Sequence, residues 1–482
     1  MAYTHGIYVN ESATSLTAPI ESDSAVIVAV GTAPVNLVDK PKVNEPVVAY
    51  TYAEAVEKMG FSSDFEQYTL CEVIDAAFSK FGICPIVMIN VLDPAEHKTT
   101  VSAETVAVTN KKAVISAKGI LQESVVVKSS SGSTIYQKEV DYVSSFDASG
   151  ALVLAVIDGG TANSETTLQV SYDKLNPSAV TKLDVVGGYD VSNGRYKGLE
   201  CISQVYPKLG IVPGQIIAPG FSHDPVVAAV MKAKTTNISG LFKATAIADI
   251  DSGVGGAESY DAVYEWKNKN SYSNENFICC WPMVRIGEIK YHYSTIWAAL
   301  TAKTDSQNGN VPYVSPSNKS LPITGMITAS GKAVYLDMNQ ANMLNGYGVC
   351  TAINLNGWKS WGNNTSIYPS NTDVKDRFIP VRRFFTWWGN SFIQTYFKKV
   401  DNPMNERLIE AVVDSENIRA NGYVARGIMA GAKIAFLSAE NPITDLINGK
   451  IRFHQCMTPF PPAETIENTL EFDTNMLEKS LS

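Results

Sequence analysis

The chain has 482 residues, of which 45% are hydrophobic, 10% aromatic and 18% charged, and 39 basic against 48 acidic side chains give a formal net charge of −9. This composition can bury a large core, which excludes a disordered chain or a disulfide-stapled miniprotein, and at about 150 residues per domain the length suggests about three domains. The acidic balance argues against a nucleic-acid-binding body, no apolar run approaches the ~18 residues of a membrane span, and the opening MAYTHGIYVNES carries no signal-peptide pattern. A charged fraction below the usual ~25% leaves surface that is polar-neutral or apolar, a sign of surface destined for partners.

In chain order, residues 1–22 read as an arm. Ile7, Val9 and Ile20 sit in a polar, β-prone stretch without a helical period, and at ~3.3 Å per residue the segment reaches ~70 Å when extended. Residues 23–96 read as the first part of an α/β core: a buried strand over 25–30, helices over 52–59 and 68–81, and a second buried strand over 84–92. Leu70, Val73, Ile74, Ala77, Phe78 and Phe81 form the apolar stripe of the second helix. Two buried strands joined by helices imply a right-handed crossover and a parallel pair.

Residues 97–180 change texture. Short β-prone runs over 123–128, 137–143, 152–157 and 167–172 alternate with Ser/Gly turns, which predicts an antiparallel β-domain inserted into the α/β unit and bordered by Asp93-Pro94 and Asn176-Pro177. Residues 181–360 resume the α/β pattern as the second part of the core. Strands are expected over 215–218, 241–250 and 276–286, and helices over 225–233 and 259–267, with 335–344 leading into 348–355. Asp224 is placed to cap a helix that starts at Pro225. Pro282 would break a central ladder, so an edge or bulge is expected there.

Residues 361–482 form a C-terminal unit. Val381, Phe384, Phe385, Trp388, Phe392 and Tyr396 make an aromatic stripe at helical spacing, read as core and not as a cofactor box. The same helix, over 377–399, carries Arg377, Arg382, Arg383, Lys398 and Lys399 with no acid between 377 and 399. Asn402-Pro403 is expected to cap a second helix holding Leu408, Ile409, Val412 and Val413, followed by strands over 433–437 and 450–457 around a helical turn from Pro442. Beyond Pro459, Pro461 and Pro462, residues 465–472 alternate, with Ile466, Asn468, Leu470 and Phe472 on one face; 463–482 holds five acids and one lysine. A terminal strand with one apolar face behind a proline hinge can join its own sheet or a neighbour's.

Motifs for chemistry are missing. The seven cysteines show no disulfide framework and read as free thiols, with adjacent Cys279 and Cys280 pointing to opposite faces of a strand. The five histidines form no metal-binding pair. GMITASGK, 325–332, has five residues between its glycines where a phosphate-binding Walker loop needs four, and Ala333 replaces the magnesium-holding hydroxyl. Gly253-Val254-Gly255-Gly256 lacks the third glycine of a dinucleotide fingerprint. Ser222, His223 and Asp224 are chain neighbours, whereas a triad must converge in space. No cofactor or metal is expected.

Several segments together resemble a family, the contractile tail sheath proteins of bacteriophage tails, phage-derived bacteriocins and related injection machines. They are His5-Gly6-Ile7-Tyr8-Val9-Asn10-Glu11, Gly187-Gly188-Tyr189-Asp190 with Gly194 and Gly198, PGQIIAPGFSHDPVV over 213–227, and the run from Gly431 to Phe472 with AENPITDLINGKIRF and PFPPAETIENTLEF. The resemblance covers most of 1–95 and 181–482 and leaves out the insert. His5, where a proline is common, and the heavy aromatic cluster from Phe384 to Trp388 depart from the pattern.

The resemblance implies a mixed α/β sheath core built from discontinuous segments, with the inserted antiparallel β-domain and extended terminal arms. It implies a structural subunit that polymerises as stacked hexameric rings around an inner tube and contracts to drive that tube through a target cell envelope. Its partners would be copies of itself, the inner tail tube protein, and baseplate and tail terminator proteins, in a virion tail or tail-like particle assembled in the bacterial cytoplasm. Neither nucleic acid nor membrane insertion is implied, and a phage and a headless bacteriocin or injection system fit equally. Ile7, Tyr8 and Val9, and Ile466, Leu470 and Phe472, would be intersubunit arm strands. The basic residues Arg377, Arg382, Arg383, Lys398 and Lys399 would face the tube or, alternatively, lie between sheath subunits. Two other classes are set against this one: an α/β enzyme, which needs a deep polar pocket with perturbed titratable groups at the strand ends, and a surface adhesin carried by the insert.

Overall fold

The computed structural model describes residues 23–147 and 150–481; Ile7, Tyr8 and Val9 lie outside them. Strand β1 (Ile27–Gly31) is buried at every position, as its unbroken apolar run demands. The chain then makes β2 (Pro46–Ala49), helix α1 (Tyr52–Met59) and helix α2 (Thr69–Ile74), and α2 runs on as a wide π-type stretch, Asp75–Phe81, into β3 (Ile86–Asn90). β1 and β3 pair in parallel, with Ile27 opposite Ile86, while β2 pairs antiparallel to β3 and forms the sheet edge. The Thr51 hydroxyl starts α1 by accepting from the Glu54 N–H, and Gly82, in the left-handed region at φ 65°, ends the π stretch.

Seven strands follow: β4 (Lys98–Thr109), β5 (Lys112–Ile115), β6 (Val126–Lys128), β7 (Ile135–Tyr136), β8 (Tyr142–Phe146), β9 (Leu152–Val156) and β10 (Thr167–Leu175). They build one antiparallel sheet in the order β7-β6-β10-β4-β5-β9-β8. Alternating residues of β9 and β10 point into a separate small core with Tyr136, Leu152, Leu154, Leu168, Val170 and Tyr172. The two ends of the insertion meet where the Asn176 N–H donates to the His97 carbonyl at 2.9 Å.

Beyond α3 (Lys182–Val186), the strands β11 (Gly188–Asp190) and β12 (Arg195–Lys197) form a hairpin. Here the Gly-Gly segment has a steric reason. A Cβ on Gly187, at φ 67°, would sit 1.8 Å from the Lys197 carbonyl oxygen. Helix α4 (Val205–Leu209) precedes β13 (Gln215–Ile217), α5 (Pro225–Ala233), β14 (Thr245–Asp249), α6 (Val263–Lys269) and β15 (Phe277–Cys280). Asp224 caps α5 through the Val226 N–H, with Pro225 in its first turn.

At Pro282 the chain leaves the main sheet. β15 stops at Cys280, and β16 (Met283–Ile286) belongs to a second, four-stranded antiparallel sheet with β17 (Ile289–Tyr291), β18 (Gly325–Ile327) and β19 (Ala333–Val334). The single strand expected over 276–286 is therefore two, because proline cannot donate to a central ladder. GMITASGK is the β18–β19 hairpin and its turn, not a phosphate loop. Helix α7 (Tyr293–Gln307) lies against β13, β14 and β15. After it, α8 (Met338–Gly346) leads into β20 (Val349–Asn354) and β21 (Trp358–Trp361). The main sheet runs β2-β3-β1-β13-β14-β15-β20-β21, parallel except for its two edge strands.

The C-terminal unit starts with α9 (Val374–Arg377) and α10 (Ile379–Tyr396), separated by extended Phe378. The expected single helix is broken there, and Pro380, with no N–H to lose, sits in the first turn of α10. Helix α11 (Glu406–Ala425) is capped by Asn405 through the Leu408 N–H, and not by Asn402-Pro403. Two strands, β22 (Met429–Ala435) and β23 (His454–Pro459), flank α12 (Ile443–Ile447) and pair antiparallel; α13 (Thr474–Leu481) ends the described chain. Phe384, Trp387, Trp388 and Tyr423 form this unit's core, with the Arg419 guanidinium 4.0 Å over the Trp388 ring. Of the aromatic stripe, Val381, Phe384, Trp388 and Tyr396 are buried, while Phe385 and Phe392 are half-buried.

A buried ion pair joins this unit to the body. Arg383 of α10, 3% exposed, reaches Asp305 of α7, 1% exposed, through both guanidinium nitrogens, and donates to the Ser24 carbonyl at 3.3 Å. The Ser24 hydroxyl donates to the same carboxylate at 2.6 Å. Removing one partner leaves the other charged and dry. Asp305→Asn should cost about 3–5 kcal/mol in denaturant unfolding, whereas an exposed change such as Lys398→Gln should stay within about 0.5 kcal/mol.

Candidate functional site

A doubly wound parallel sheet binds ligands at the carboxyl ends of its strands, where the strand order reverses. Here that place lies beyond β1 and β13. A Cβ on Gly31 would stand 2.2 Å from the Thr69 hydroxyl, and one on Gly220 would stand 2.8 Å from the Thr69 methyl. α2 is thus seated on the strand ends.

Beside it, Asp249 at the end of β14 is 6% exposed. The Ser294 N–H in the first turn of α7 donates to one of its oxygens at 2.8 Å, and the Ser294 and Ser222 hydroxyls reach the other. The anion site that a helix N-terminus offers is occupied by the chain's own carboxylate. Glu72 of α2 accepts from the His292 N–H at 2.8 Å and lies 2.7 Å from its Nδ1, and the Tyr291 hydroxyl donates to Asp75.

Titratable groups do gather at the strand ends. Cavities of about 680, 460 and 400 Å³ lie elsewhere, and none of the three is lined by Glu72, Asp249 or His292. The Ser222-His223-Asp224 triplet diverges: Ser222 is buried on Asp249, His223 is exposed, and Asp224 caps α5. Cys279 and Cys280 are buried free thiols, and burial pushes Cys279 up to about 12. This polar cluster is missed by sequence reading because Glu72 and His292 are 220 positions apart.

Glu96, His97 and Asp184 bring three ligand atoms within 4.8 Å of one another. The donor set does not fit a cation. The Asp93 N–H donates to His97 Nδ1 at 3.0 Å, which leaves the proton on Nε2, facing Asp184 at 3.6 Å. The group is a polar latch at the root of the insertion.

The surface elements bear on assembly. Arg377, Arg382 and Arg383 do not form an open basic face. Arg377 donates to Asn364 at 3.0 Å and Glu464 at 2.6 Å and lies over the Tyr368 and Phe378 rings. Arg382 donates to Asn276 at 2.7 Å and Asp376 at 3.2 Å, and Arg383 holds Asp305. Each of the three is turned toward its own chain by a carboxylate or amide distant in sequence. Only Lys398, exposed, and Lys399, half-buried, extend outward at the end of α10.

Ile466, Leu470 and Phe472 are 87%, 89% and 79% exposed, and residues 463–473 belong to no strand of the chain's own sheets. The Arg377–Glu464 pair fixes the root of that segment. Among the described residues β22 and β23 each have one unpaired edge. Asn417 of α11 bonds both the N–H and the carbonyl of Ile434, at 3.0 and 3.1 Å, and so covers the outer edge of β22 at that residue. In an antiparallel pair, residues opposite an outward-facing residue also face outward. Gln455, opposite Ile434, and Met457, opposite Ala432, therefore turn their backbone groups to the outer edge of β23.

Stability should track the Glu72–His292 pair. Burial works against the imidazolium, but Glu72, with Asp249 and Glu66, outweighs it and holds His292 up to about 9. Folded, the ring keeps its proton above its ordinary 6.5, so the stabilisation is complete below that pH and is lost as pH rises through 9. Denaturant unfolding at pH 6.5 and 9.5 should differ by on the order of 2–3 kcal/mol more in the parent chain than in His292→Gln.

No protein-family model matches the chain. It is 26% identical over 98% of its length, and 98% of the relative's, to the tail sheath protein of Burkholderia phage BcepMu. The sheath of an extracellular contractile injection system, the PVC sheath complex in its contracted state, superposes with a TM-score of 0.58 at 12% identity over 99% of both chains. The helical sheath of the anti-feeding prophage, also contracted, gives 0.57 at 14% identity over 98% of this chain and 100% of that one.

Proposed function

We infer that the chain is a contractile tail sheath protein, the structural subunit of a sheath in a phage tail or phage-tail-like particle. The observation that carries this is the likeness to a tail sheath protein from end to end of both chains; the shared fold of two contracted sheaths agrees with it. Copies stack as hexameric rings around an inner tube, and contraction drives the tube through a target envelope. Baseplate, tube and tail terminator proteins are its further partners, and assembly takes place in the bacterial cytoplasm. The role is not enzymatic, in keeping with strand ends that the chain's own Thr69, Glu72 and Asp249 fill.

Neighbouring copies exchange their arms as added strands. Ile7, Tyr8 and Val9 of the first arm and Ile466, Leu470 and Phe472 of the second supply the strands, and the β22–β23 sheet receives them. Two features support this reading: an alternating segment that pairs with no strand among the described residues, and a β23 edge whose outward backbone groups are unpaired among them.

Deleting 463–482 or 1–22 should leave a soluble body with a melting temperature within a few degrees of the parent, the first deletion removing only the helical signal of α13. Negative-stain microscopy should show hollow striated cylinders from the parent chain and none from either truncation. Normal cylinders from both truncated forms would discard strand exchange.

A further inference from the structure

The C-terminal unit leaves two apolar surfaces bare within one molecule. The first is a groove of about 400 Å³ whose walls include Phe392 and Tyr396 of α10, Val400, Met404, Leu408 of α11 and Phe453. Val400 is 62% exposed, although it sits in a largely apolar wall. The second is α13. Met476, Leu477 and Leu481 fall on one side of it at 100° per residue, and no residue of the helix is buried. Eight residues are too few for a helix to hold itself in water, so it needs a surface to lie on.

The charges match in sign. The segment that ends in α13 carries Glu464, Glu467, Glu471, Asp473 and Glu478 against Lys479 alone. Lys399 lines the groove, exposed Lys398 and Lys450 are chain neighbours of its lining residues, and Asp401 is the carboxylate among those residues. Residues 465–473 are exposed throughout, and the segment departs from a fixed point, Glu464 held by Arg377. Groove and helix belong to the same chain, yet that chain leaves them apart.

We propose that α13 of one copy docks in this groove of a second copy, laying Leu477 and Leu481 against Val400 and Met404, with Asp473 and Glu478 toward Lys398 and Lys399. It is a helix-in-groove contact. It rests on the sheath reading and extends it: the arm is anchored at its tip as well as along its strand. Two linked contacts raise the effective concentration of each for the other, so the arm holds more firmly than the strand alone.

The test uses the full-length chain with the two exposed cysteines, Cys84 and Cys456, changed to serine and with Val400→Cys and Leu477→Cys added. Cylinders are oxidised and run on a non-reducing gel. A ladder of covalent multimers, absent when either added cysteine is omitted, is the expected result. Cylinders that yield no ladder, or only a cross-link closed within one chain, overturn the proposal. A parent chain that builds no cylinders at all overturns the sheath reading itself. As a second arm, Leu477→Asp with Leu481→Asp changes only exposed positions and should leave the melting curve intact. It should raise the protein concentration needed for cylinders by roughly tenfold, and an unchanged threshold with an intact melting curve counts against docking.

Discussion

Burying an arginine is tolerable only when its charge is met, and Arg383 imposes that condition on much of this molecule. Its carboxylate, Asp305, comes from α7 of the body, 78 positions earlier, and the carbonyl and hydroxyl that complete the site come from Ser24. Three separate parts of the chain must arrive together for the charge to be solvated. Once they do, Ser24, near the start of the described chain, is fixed to α10. A few residues upstream, at the end of α9, Arg377 holds Glu464, where the exposed C-terminal segment begins. The far side of α10 is packed into the Trp387–Trp388–Tyr423 core.

The same economy of charge explains the closed strand ends. A parallel sheet brings carboxylates, hydroxyls and a helix N-terminus to one rim, and many α/β enzymes leave a cleft there. This chain spends them on each other: Asp249 satisfies the first turn of α7, and Glu72 holds His292. Perturbed titration by itself marks either a site or a strut. What separates the two is access, and here Thr69 stands against both Gly31 and Gly220 at the rim.

Much of the fold was legible because the signals were local. The unbroken apolar runs around Val28 and Val87 announced buried parallel strands, and Asp224-Pro225 announced a helix start. The β-prone runs of the insertion, each a few residues from its turn, gave its antiparallel character. Pro282 was read correctly as an interruption, yet the sequence pattern could not say that the chain changes sheets there, since that depends on where β18 lies. Asn405 outcompetes Asn402-Pro403 as a cap because its side chain can reach the Leu408 N–H. The partners of the basic run were not legible, for a different reason. Charge counted along a helix says nothing about partners, and Arg382 finds Asn276 while Arg383 finds Asp305, each far away in the chain. The polar cluster was invisible for the same reason.

Residues 465–472 show how far sequence reading can be taken in a protein that assembles. Alternation fixes that the segment is a strand former with an apolar face, but a strand is defined by its neighbour. Among the described residues the segment has none, and its face is exposed. The β22–β23 sheet is incomplete in the matching sense: Asn417 occupies the β22 edge at Ile434 with a side-chain amide, while the β23 edge keeps its backbone groups outward. An open edge is a standing invitation to pair with any chain. A side chain that occupies Ile434 obstructs pairing along β22 and leaves β23 the freer side. On the sheath reading, the exposed stretch of nine residues after the Glu464 tether spans at most ~30 Å, and that reach restricts which neighbour can accept it. Within that reach, rigid bodies slide to new contacts while each arm keeps the partner it already holds.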